Sequence, residues 1–580
     1  MGPLAIVLVA LLQAQASSVE GIVTKPGGGE PLSGARVTLL PLGTEPGLEK
    51  LSVVSQDDGS FSFSNVPPGD YTLRAESVRY GSAAYGQRQA RGPGRTLTVN
   101  PAQRLAGIRI AMLPTGAIAG RITGMNGQPY VGAKVQAFQY EYRGGRRVLG
   151  QWRAVWADDR GEYRLFGLAP GKYLVAATRD QARMVPAAVM MDPNGAAHQV
   201  DSGVHASMVF QMESPARNKV LDDGTVLKEA WMPVYYPGTI EARLATPIEV
   251  SAGTTMSGVH IAISPAPVRK ISGQMIGSPG SIPSATLTPE SAEIGFKNPT
   301  NSGSSDGSTF EFDGLSPGGY TLIARDPKTR TASAPLQIEL ADRDIENITL
   351  ALVPGITVEG KVVVENAGQP PGTNPLNRVL ISLQQANRED SMEQFRPQSS
   401  GSFVAKDLIP GTYFVQLIDR SDEASEGLSM VNFDPDWSER PSGSLFVKSV
   451  RLGQTEVTDG IPITAATQER LEIVLTDALG SIDGTVADVR GALADATVVL
   501  VPATARRNLS LYRSTVTDAA GRFRLHRIVP GAYLLFAWDD VETGAWQDPE
   551  FLRPLESRGR SVQVQAGRNS MDTIPVISKP

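Results

Sequence analysis

The sequence predicts an all-β protein, a tandem array of about five antiparallel β-sandwich domains that follow an N-terminal signal peptide. Three observations lead to this prediction. A short pattern of turn glycines and strands recurs five times along the 580 residues. Apolar and polar residues alternate with a period of two around each copy, and no stretch of comparable strength has helical periodicity. An apolar run opens the chain.

Composition supports a folded, multidomain protein and excludes several classes of function. At roughly 100–200 residues per domain, 580 residues make about three to six domains. The 41% of hydrophobic residues is enough to build packed cores. A formal net charge of −6 argues against a protein that coats nucleic acid, which needs a basic face. Because the chain has no cysteine, disulfides, thiolate zinc sites and cysteine nucleophiles are excluded.

The N-terminal residues have the features of an export signal. An unbroken apolar run, Leu4 to Leu12, precedes the small-x-small pattern Ala14-Gln15-Ala16. The run is too short to cross a bilayer, which takes about 20 residues as a helix. We therefore predict a signal peptide over 1–16 with cleavage after Ala16, and a secreted, periplasmic or cell-surface protein without a permanent membrane anchor. The alternative is that the run forms the first strand of the first domain. It is disfavoured because the residues from Ser18 onward already supply that strand.

The recurring pattern is a turn glycine, an alternating strand, a Pro-Gly turn, and a tyrosine that opens the next strand. In the first copy the two turn glycines are Gly59 and Gly69, ten residues apart. Three other copies keep this spacing, and the third has one extra residue, which a β-bulge would absorb. The Pro-Gly glycines and their tyrosines are Gly69 and Tyr71, Gly171 and Tyr173, Gly318 and Tyr320, Gly411 and Tyr413, and Gly531 and Tyr533.

Each copy lies between an opening strand of the form apolar-x-Gly-x-apolar and a closing pair of short strands. These strands place the five predicted sandwiches at residues 18–114, 115–266, 267–353, 354–477 and 478–580. The second contains a polar insert, 179–246, that we expect to be a long loop. Threaded in series, with strands of about ten residues at ~3.3 Å per residue, the units would reach on the order of 150 Å.

The turn residues have a mechanical explanation. Proline fixes φ near −65°, and the following glycine is expected to adopt the positive φ that other residues resist. The tyrosine adds a large apolar ring and a hydroxyl that can bond back to the turn. We therefore interpret the five tyrosines as structural rather than catalytic.

The fifth copy carries a family resemblance. Its segment Thr517-Asp518-Ala-Ala-Gly521-Arg-Phe523-Arg-Leu525, with Pro530-Gly531-Ala-Tyr533, resembles the carboxypeptidase regulatory-like domain. The resemblance implies a transthyretin-like (prealbumin-like) seven-stranded sandwich, related to the B-type repeats of collagen adhesins and grouped with a carbohydrate-binding-like fold. Ser304 and Gln398 replace the aspartate in the third and fourth copies. Such domains accompany many unrelated proteins, so the resemblance implies little about function.

No catalytic constellation is evident, and we predict neither an enzyme nor a bound cofactor. None of the four histidines lies in an H-x-x-E or H-E-x-x-H pattern. The segment from Gly303 to Gly307 matches G-x-S-x-G but lacks the flanking helix of a nucleophile elbow. His198, Asp201 and His205 share one loop, which leaves a metal site open as an alternative.

The aromatic and acidic loops after the tyrosine strands give the best functional clue. The fifth unit has Trp538, Asp539, Asp540 and Trp546, and the fourth has Trp437. Sugars stack on aromatic faces and bond to carboxylates, although such acids also suit calcium, and the rings can instead staple loops onto the sandwich. We predict an exported, non-enzymatic binding protein for an extracellular glycan or protein, and not for nucleic acid. The alternative is a structural or adhesive spacer without a small ligand.

Overall fold

A computed structural model describes residues 17–578 except 28, 43–49, 89–91, 144, 180–181, 187–189, 192–196, 199–207, 213–215, 221–223, 225, 278–279, 290–299, 303–306, 366–373, 387–391 and 420–444. The predicted signal peptide and Trp437 lie outside these residues. The described chain forms successive two-sheet units, so the prediction of an all-β array of sandwiches is confirmed. No helix among the described residues is long and apolar enough to span a membrane.

The first sandwich shows the plan that the others repeat. One sheet has the order β4-β1-β8 and the other β3-β2-β5-β6, with β7 also paired to β5. Phe61, Phe63 and Leu73 lie in the core between the sheets because alternate side chains of a strand point to one face. The strands are β1 (Ser17–Thr24), β2 (Arg36–Pro41), β3 (Leu51–Val54), β4 (Ser60–Val66), β5 (Gly69–Ser77), β6 (Gly81–Ala84), β7 (Leu97–Val99) and β8 (Arg104–Ala111).

The second sandwich pairs the sheet β12-β9-β22, joined by β23, with the sheet β11-β10-β13-β20, joined by β21. A 3-10 turn spans Ala242–Leu244. The strands are β9 (Gly116–Thr123), β10 (Lys134–Arg143), β11 (Arg146–Trp156), β12 (Glu162–Leu168), β13 (Gly171–Thr178), β14 (Ala182–Pro186), β15 (Met190–Met191), β16 (Ala197–His198), β17 (Met208–Met212), β18 (Ala216–Val220), β19 (Val226–Trp231), β20 (Val234–Tyr235), β21 (Ile248–Val250), β22 (Thr255–Met256) and β23 (Ile261–Ala262).

The insert of the second sandwich differs from the loop that we expected. Its described residues form three antiparallel pairs, β14 with β17, β15 with β16 and β18 with β19. Pairing satisfies backbone groups that a long loop leaves to water. In the last pair the Lys219 ammonium lies 3.1 Å from the Glu229 carboxylate across the two strands, a cross-strand ion pair of the kind that stabilises a hairpin.

The third sandwich consists of the sheets β28-β25-β32 and β27-β26-β29-β30-β33, with β31 paired to β29. The preceding β24 pairs with β19 of the insert, and the Lys228 ammonium contacts the Asp313 carboxylate at 2.6 Å. The strands are β24 (Pro265–Pro267), β25 (Arg269–Ile276), β26 (Ser284–Pro289), β27 (Thr300–Ser302), β28 (Thr309–Leu315), β29 (Gly318–Asp326), β30 (Thr331–Ala332), β31 (Leu336–Leu340), β32 (Ile345–Ala351) and β33 (Val353–Pro354).

The fourth sandwich enlarges one sheet. Its order is β37-β34-β42-β39-β40, and the facing sheet is β36-β35-β38-β41. A 3-10 turn spans Pro375–Arg378. The strands are β34 (Ile356–Glu365), β35 (Val379–Gln385), β36 (Met392–Phe395), β37 (Ser402–Leu408), β38 (Gly411–Asp419), β39 (Phe446–Leu452), β40 (Thr455–Glu456), β41 (Ile461–Ile463) and β42 (Leu471–Thr476).

The fifth sandwich pairs the sheet β44-β43-β47, joined by β50 and β51, with the sheet β46-β45-β48-β49. It also carries the short helix α1 (Pro549–Leu552) and 3-10 turns at Leu509–Leu511, Ala545–Gln547 and Arg553–Arg558. The strands are β43 (Gly480–Asp488), β44 (Gly491–Ala492), β45 (Thr497–Pro502), β46 (Arg513–Val516), β47 (Arg522–Ile528), β48 (Gly531–Trp538), β49 (Arg560–Val564), β50 (Gly567–Ser570) and β51 (Ile574–Pro575).

Each Pro-Gly turn is held by its tyrosine. The hydroxyl donates to the carbonyl oxygen four residues upstream in all five units, which forms a tyrosine corner. The donor and acceptor residues, with their distances, are Tyr71 and Pro67 (2.8 Å), Tyr173 and Ala169 (2.8 Å), Tyr320 and Ser316 (2.7 Å), Tyr413 and Ile409 (3.0 Å), and Tyr533 and Val529 (2.8 Å).

The expected positive φ at the Pro-Gly glycine is wrong for two units. Gly69 and Gly531 do not have a positive φ. The left-handed residue lies four positions earlier, at a bulge where the strand that carries it slips against the opening strand. The five left-handed residues are Asn65 (57°), Gly167 (73°), Gly314 (73°), Asp407 (59°) and Arg527 (54°).

The sandwiches are not threaded in an extended series. The Arg95 guanidinium of the first sandwich lies 2.9 Å from the Asp495 carboxylate of the fifth, 400 residues along the chain. The fifth sandwich also contacts the fourth, where the backbone N–H of Arg507 donates to the Asp459 carboxylate at 2.7 Å. The array therefore closes on itself. The sequence did not predict this closure, because a strand pattern does not specify which outer faces meet.

Candidate ligand-binding cleft between the first and fifth sandwiches

The tryptophans of the fifth sandwich are buried in a second core on the outer face of its sheet. Trp538 is 2% exposed and Trp546 is 5% exposed. The Trp538 ring stacks on Phe536 with centroids 5.2 Å apart, and Val541 and Leu552 belong to the same cluster. The rings therefore staple the loop after β48 onto the sandwich, which is one of the roles that the sequence left open.

Three of the predicted ligand residues nevertheless lie at one cleft. Asp539, Asp540 and Trp546 line a space of about 240 Å³ at the junction with the first sandwich. The opposite wall comes from Arg88, Gly92 and Pro93, and the remaining lining residues are Thr497, Val516, Val541 and Thr543. Trp546 contributes little of its ring surface because it is buried, and the accessible lining of the cleft is divided about equally between polar and apolar surface.

The wall from the first sandwich is part of a segment that we call the arginine loop, residues 86–88 and 92–95. The Arg88 guanidinium donates to the carbonyl oxygens of Asp495 at 3.2 Å and Asp539 at 3.1 Å. Arg95 pairs with the Asp495 carboxylate and also donates to the Thr517 carbonyl at 2.8 Å. Gly92 and Pro93 are buried. Cationic donors on backbone carbonyls fix the loop firmly, since charge-assisted bonds are stronger than neutral ones.

A second contact between the same two sandwiches lies at the end of β47. The imidazole Nδ1 of His526 lies 3.1 Å from the Asp70 carboxylate of the first sandwich. The neighbouring Arg527 donates to the Leu42 carbonyl at 2.8 Å and places its guanidinium 4.8 Å from the ring centroid of Phe446 in the fourth sandwich. Arg527 thus bridges three sandwiches from a left-handed conformation that usually favours glycine or asparagine.

Arg513 supports this strained residue from within the fifth sandwich. Its guanidinium donates to the Arg527 carbonyl through Nε at 3.1 Å and Nη2 at 2.7 Å. Burial lowers the pKa of Arg513, whereas the nearby Tyr533 raises it.

The second sandwich contacts the fifth through the hairpin of β10 and β11. Arg147 lies 3.6 Å from the Glu542 carboxylate, and Tyr142 packs against the outer core of the fifth sandwich. Burial raises the pKa of the Tyr142 hydroxyl, and the charge of Glu542 adds to the shift. At the hairpin tip Gly145 has φ 73°, and a Cβ there would lie 2.7 Å from the Gln547 carbonyl, so the contact requires glycine.

Among the described residues, no group of three or more His, Asp or Glu side chains is placed to hold a metal ion. Asp201 and His205 of the alternative metal loop lie outside the described residues. Sequence reasoning missed the arginine loop, whose Gly-Pro-Gly run and arginines gave only a weak signal, because its role depends on closure of the array.

Comparisons with known proteins agree with the strand pattern. Residues 18–112 match the model of the carboxypeptidase regulatory-like domain family. No curated protein matches the chain.

Several solved structures are similar at low identity. The minor pilin GBS52 of Streptococcus agalactiae is 13% identical, with 43% of this chain and 97% of that chain covered and a TM-score of 0.22. Two B repeat units of the collagen binding protein of Staphylococcus aureus are 11% identical, with 79% and 98% covered and a TM-score of 0.13. At these values no ligand or partner is transferred from either protein. The carboxypeptidase regulatory-like domain model matches the first sandwich, residues 18–112, which is well under half of the chain.

Proposed function

We propose that the chain is an exported, non-enzymatic binding protein whose ligand site is the cleft between the first and fifth sandwiches. The observation that carries the proposal is the meeting of Arg88 from one sandwich with Asp539 and Asp540 from the other around about 240 Å³ of space. Clefts between domains are frequent ligand sites because two surfaces bring polar groups together there. Export rests on the predicted signal peptide, residues 1–16.

The ligand class that we propose is one saccharide unit of an extracellular glycan. The volume lies somewhat below the roughly 300–1,000 Å³ of pockets for drug-sized ligands, which suits a small polar group. Carboxylates accept bonds from sugar hydroxyls, and the Arg88 guanidinium and Thr543 hydroxyl can donate to ring and hydroxyl oxygens. Because Trp546 is buried, recognition would rely on hydrogen bonds rather than on stacking.

Binding of mono- and oligosaccharides to the full chain, measured by calorimetry after a glycan-array screen, tests this proposal. We expect Asp540→Asn to weaken binding by about 10- to 150-fold, since a lost charged hydrogen bond contributes about 1.5–3 kcal/mol. The matched control is Asp159→Asn, at an exposed aspartate of the second sandwich. Equal affinity of the two variants would reject the cleft as the site.

The second candidate is a structural or adhesive spacer. The tandem sandwiches favour it, but closure between the first and fifth sandwiches shortens the reach that a spacer needs. A broad glycan screen without any hit, together with retention of the protein at the cell surface, would favour the spacer over the binding protein.

A further inference from the structure

We propose that protonation of His526 separates the first and fifth sandwiches and thereby dismantles the cleft between them. The regulatory meaning of this opening rests on the proposed function, because it presumes that the cleft binds a ligand. The opening itself depends only on the contact between the two sandwiches.

The geometry fixes where the imidazole carries its proton. His526 lies on β47, and its Nδ1 is 3.1 Å from the Asp70 Oδ2 on the first sandwich. The side chains of His526 and Asp70 are 14% and 25% exposed, so water has little access to the pair. Since a carboxylate oxygen accepts, the neutral ring donates through Nδ1–H and leaves Nε2 without a proton.

Protonation would add a hydrogen at Nε2, where nothing accepts it. Within the part of the chain that the structure describes, this buried nitrogen has no hydrogen-bond partner. A buried N–H without an acceptor is costly, and so is a charged imidazole out of water. In the closed arrangement burial accordingly lowers the pKa of His526, and the charge of Asp70 only partly opposes that shift.

Two further charged groups, Arg524 and Asp483, act on the imidazole in opposite directions. Arg524, on the same strand, disfavours the charged imidazole, whereas Asp483 on β43 favours it. Burial opposes the charge of Asp483, but hydrogen bonds from Arg524 and Arg568 outweigh it and lower its pKa. Asp70 also accepts a hydrogen bond from the Thr98 hydroxyl at 2.6 Å.

The direction of the pH effect follows. When the sandwiches separate, His526 regains water and its pKa returns toward the ordinary value of 6.5. Below that pH the open arrangement binds more protons than the closed one, so acid favours opening. Above pH 6.5 the equilibrium constant for closure is at its maximum. Below pH 6.5 it falls by up to about tenfold per pH unit until the lowered pKa of the closed arrangement is passed.

The experiment measures the distance between the two sandwiches in the full chain. Because the protein has no cysteine, spin labels on Val78→Cys and Val489→Cys, both at fully exposed positions, attach only there. We expect a single narrow distance distribution at pH 8 and a growing population at longer distances below pH 6.5. An unchanged distribution from pH 8 to pH 5 would overturn the proposal.

Variants separate His526 from other acid effects. His526→Gln should remove the pH dependence, whereas the control His260→Gln, at an exposed histidine of the second sandwich, should keep it. Should the glutamine itself disturb the contact at pH 8, Asp70→Asn is the second variant. It should increase the open population at pH 5.5, because it removes the charge that supports the imidazolium. A transition that persists unaltered in His526→Gln overturns the proposal.

The labels report opening without any ligand, so the two proposals fail separately. If no sugar binds in the screen but the distance between the labels still changes with pH, the binding function alone is rejected. Binding that is the same at pH 8 and pH 5, without opening, would reject the switch alone.

Discussion

At the residue scale, repetition of one hydrogen bond explains why tyrosine follows every Pro-Gly turn. Phenylalanine would fill the core equally well, but it would leave a carbonyl oxygen of the turn without a donor. The residue that sequence reasoning did not find is the left-handed one at the bulge. Asn65, Gly167, Gly314 and Asp407 suit that conformation, so the signal was present in four copies. The fifth copy lacks this signal, because arginine stands at the left-handed position and its side chain contacts the first and fourth sandwiches.

The tyrosine corner predicts a small and local loss of stability. Tyr173→Phe should lower the unfolding free energy of the second sandwich by about 1 kcal/mol, the usual net contribution of one hydrogen bond. Scanning calorimetry of the full chain should show the transition of that sandwich at lower temperature. The control is Tyr130→Phe in the same sandwich, since Tyr130 does not follow a Pro-Gly turn. Matching melting curves for both variants would contradict this account.

At the element scale, the opening strands need glycine for a reason that the sequence pattern did not supply. Their glycines face both the parallel closing strand and an aromatic ring of the turn strand. A Cβ at Gly484 would lie 2.7 Å from the Phe523 ring, which is in the core of the fifth sandwich. At Gly273 a Cβ would meet the Phe310 ring at 2.8 Å. The strands themselves were predictable from alternation, whereas this close approach depends on how the two sheets pack.

Because a Cβ has no room at the opening-strand glycine but has room at the Pro-Gly glycine, alanine should be costly at one and nearly neutral at the other. Gly484→Ala should destabilise that sandwich by about 1–3 kcal/mol, as overpacking of a core does. Gly531→Ala should be nearly neutral, because a Cβ there meets its nearest neighbour, the Tyr533 ring, at an ordinary 3.6 Å. Denaturant unfolding measures both when it is followed by tryptophan fluorescence in a background where the four tryptophans outside the fifth sandwich are replaced by phenylalanine, so that Trp538 and Trp546 give the signal. A larger loss from Gly531→Ala would restore the original interpretation of the Pro-Gly turn.

At the scale of the whole molecule, the contacts of the fifth sandwich with the first and the second close the array. The repeat pattern predicts how many sandwiches form but not whether they close, because the contacting groups lie on loops and strand ends that differ between copies. Trp538 and Trp546 illustrate the same limit. Their residue type suggests a binding surface, whereas Trp538 ends β48 and is buried together with Trp546, which the following loop folds back onto the sheet.

The arginine loop predicts that closure can be removed without unfolding any sandwich. Arg95→Ala should break the pairing with Asp495 and the bond to the Thr517 carbonyl. Small-angle scattering should then show a larger radius of gyration at pH 8, with the β-sheet circular dichroism unchanged. Arg104→Ala is the control, since Arg104 pairs with Glu20 inside the first sandwich. An unaltered radius would mean that the remaining contacts suffice.

The covalent connection through the three middle sandwiches has a thermodynamic consequence. It turns a meeting of two domains into an intramolecular event, with an effective local concentration on the order of millimolar when the tether can span the gap. A surface that would be far too weak to join two separate proteins can therefore stay engaged here almost all of the time. The same weakness lets a single proton, or a modest change in salt, release it.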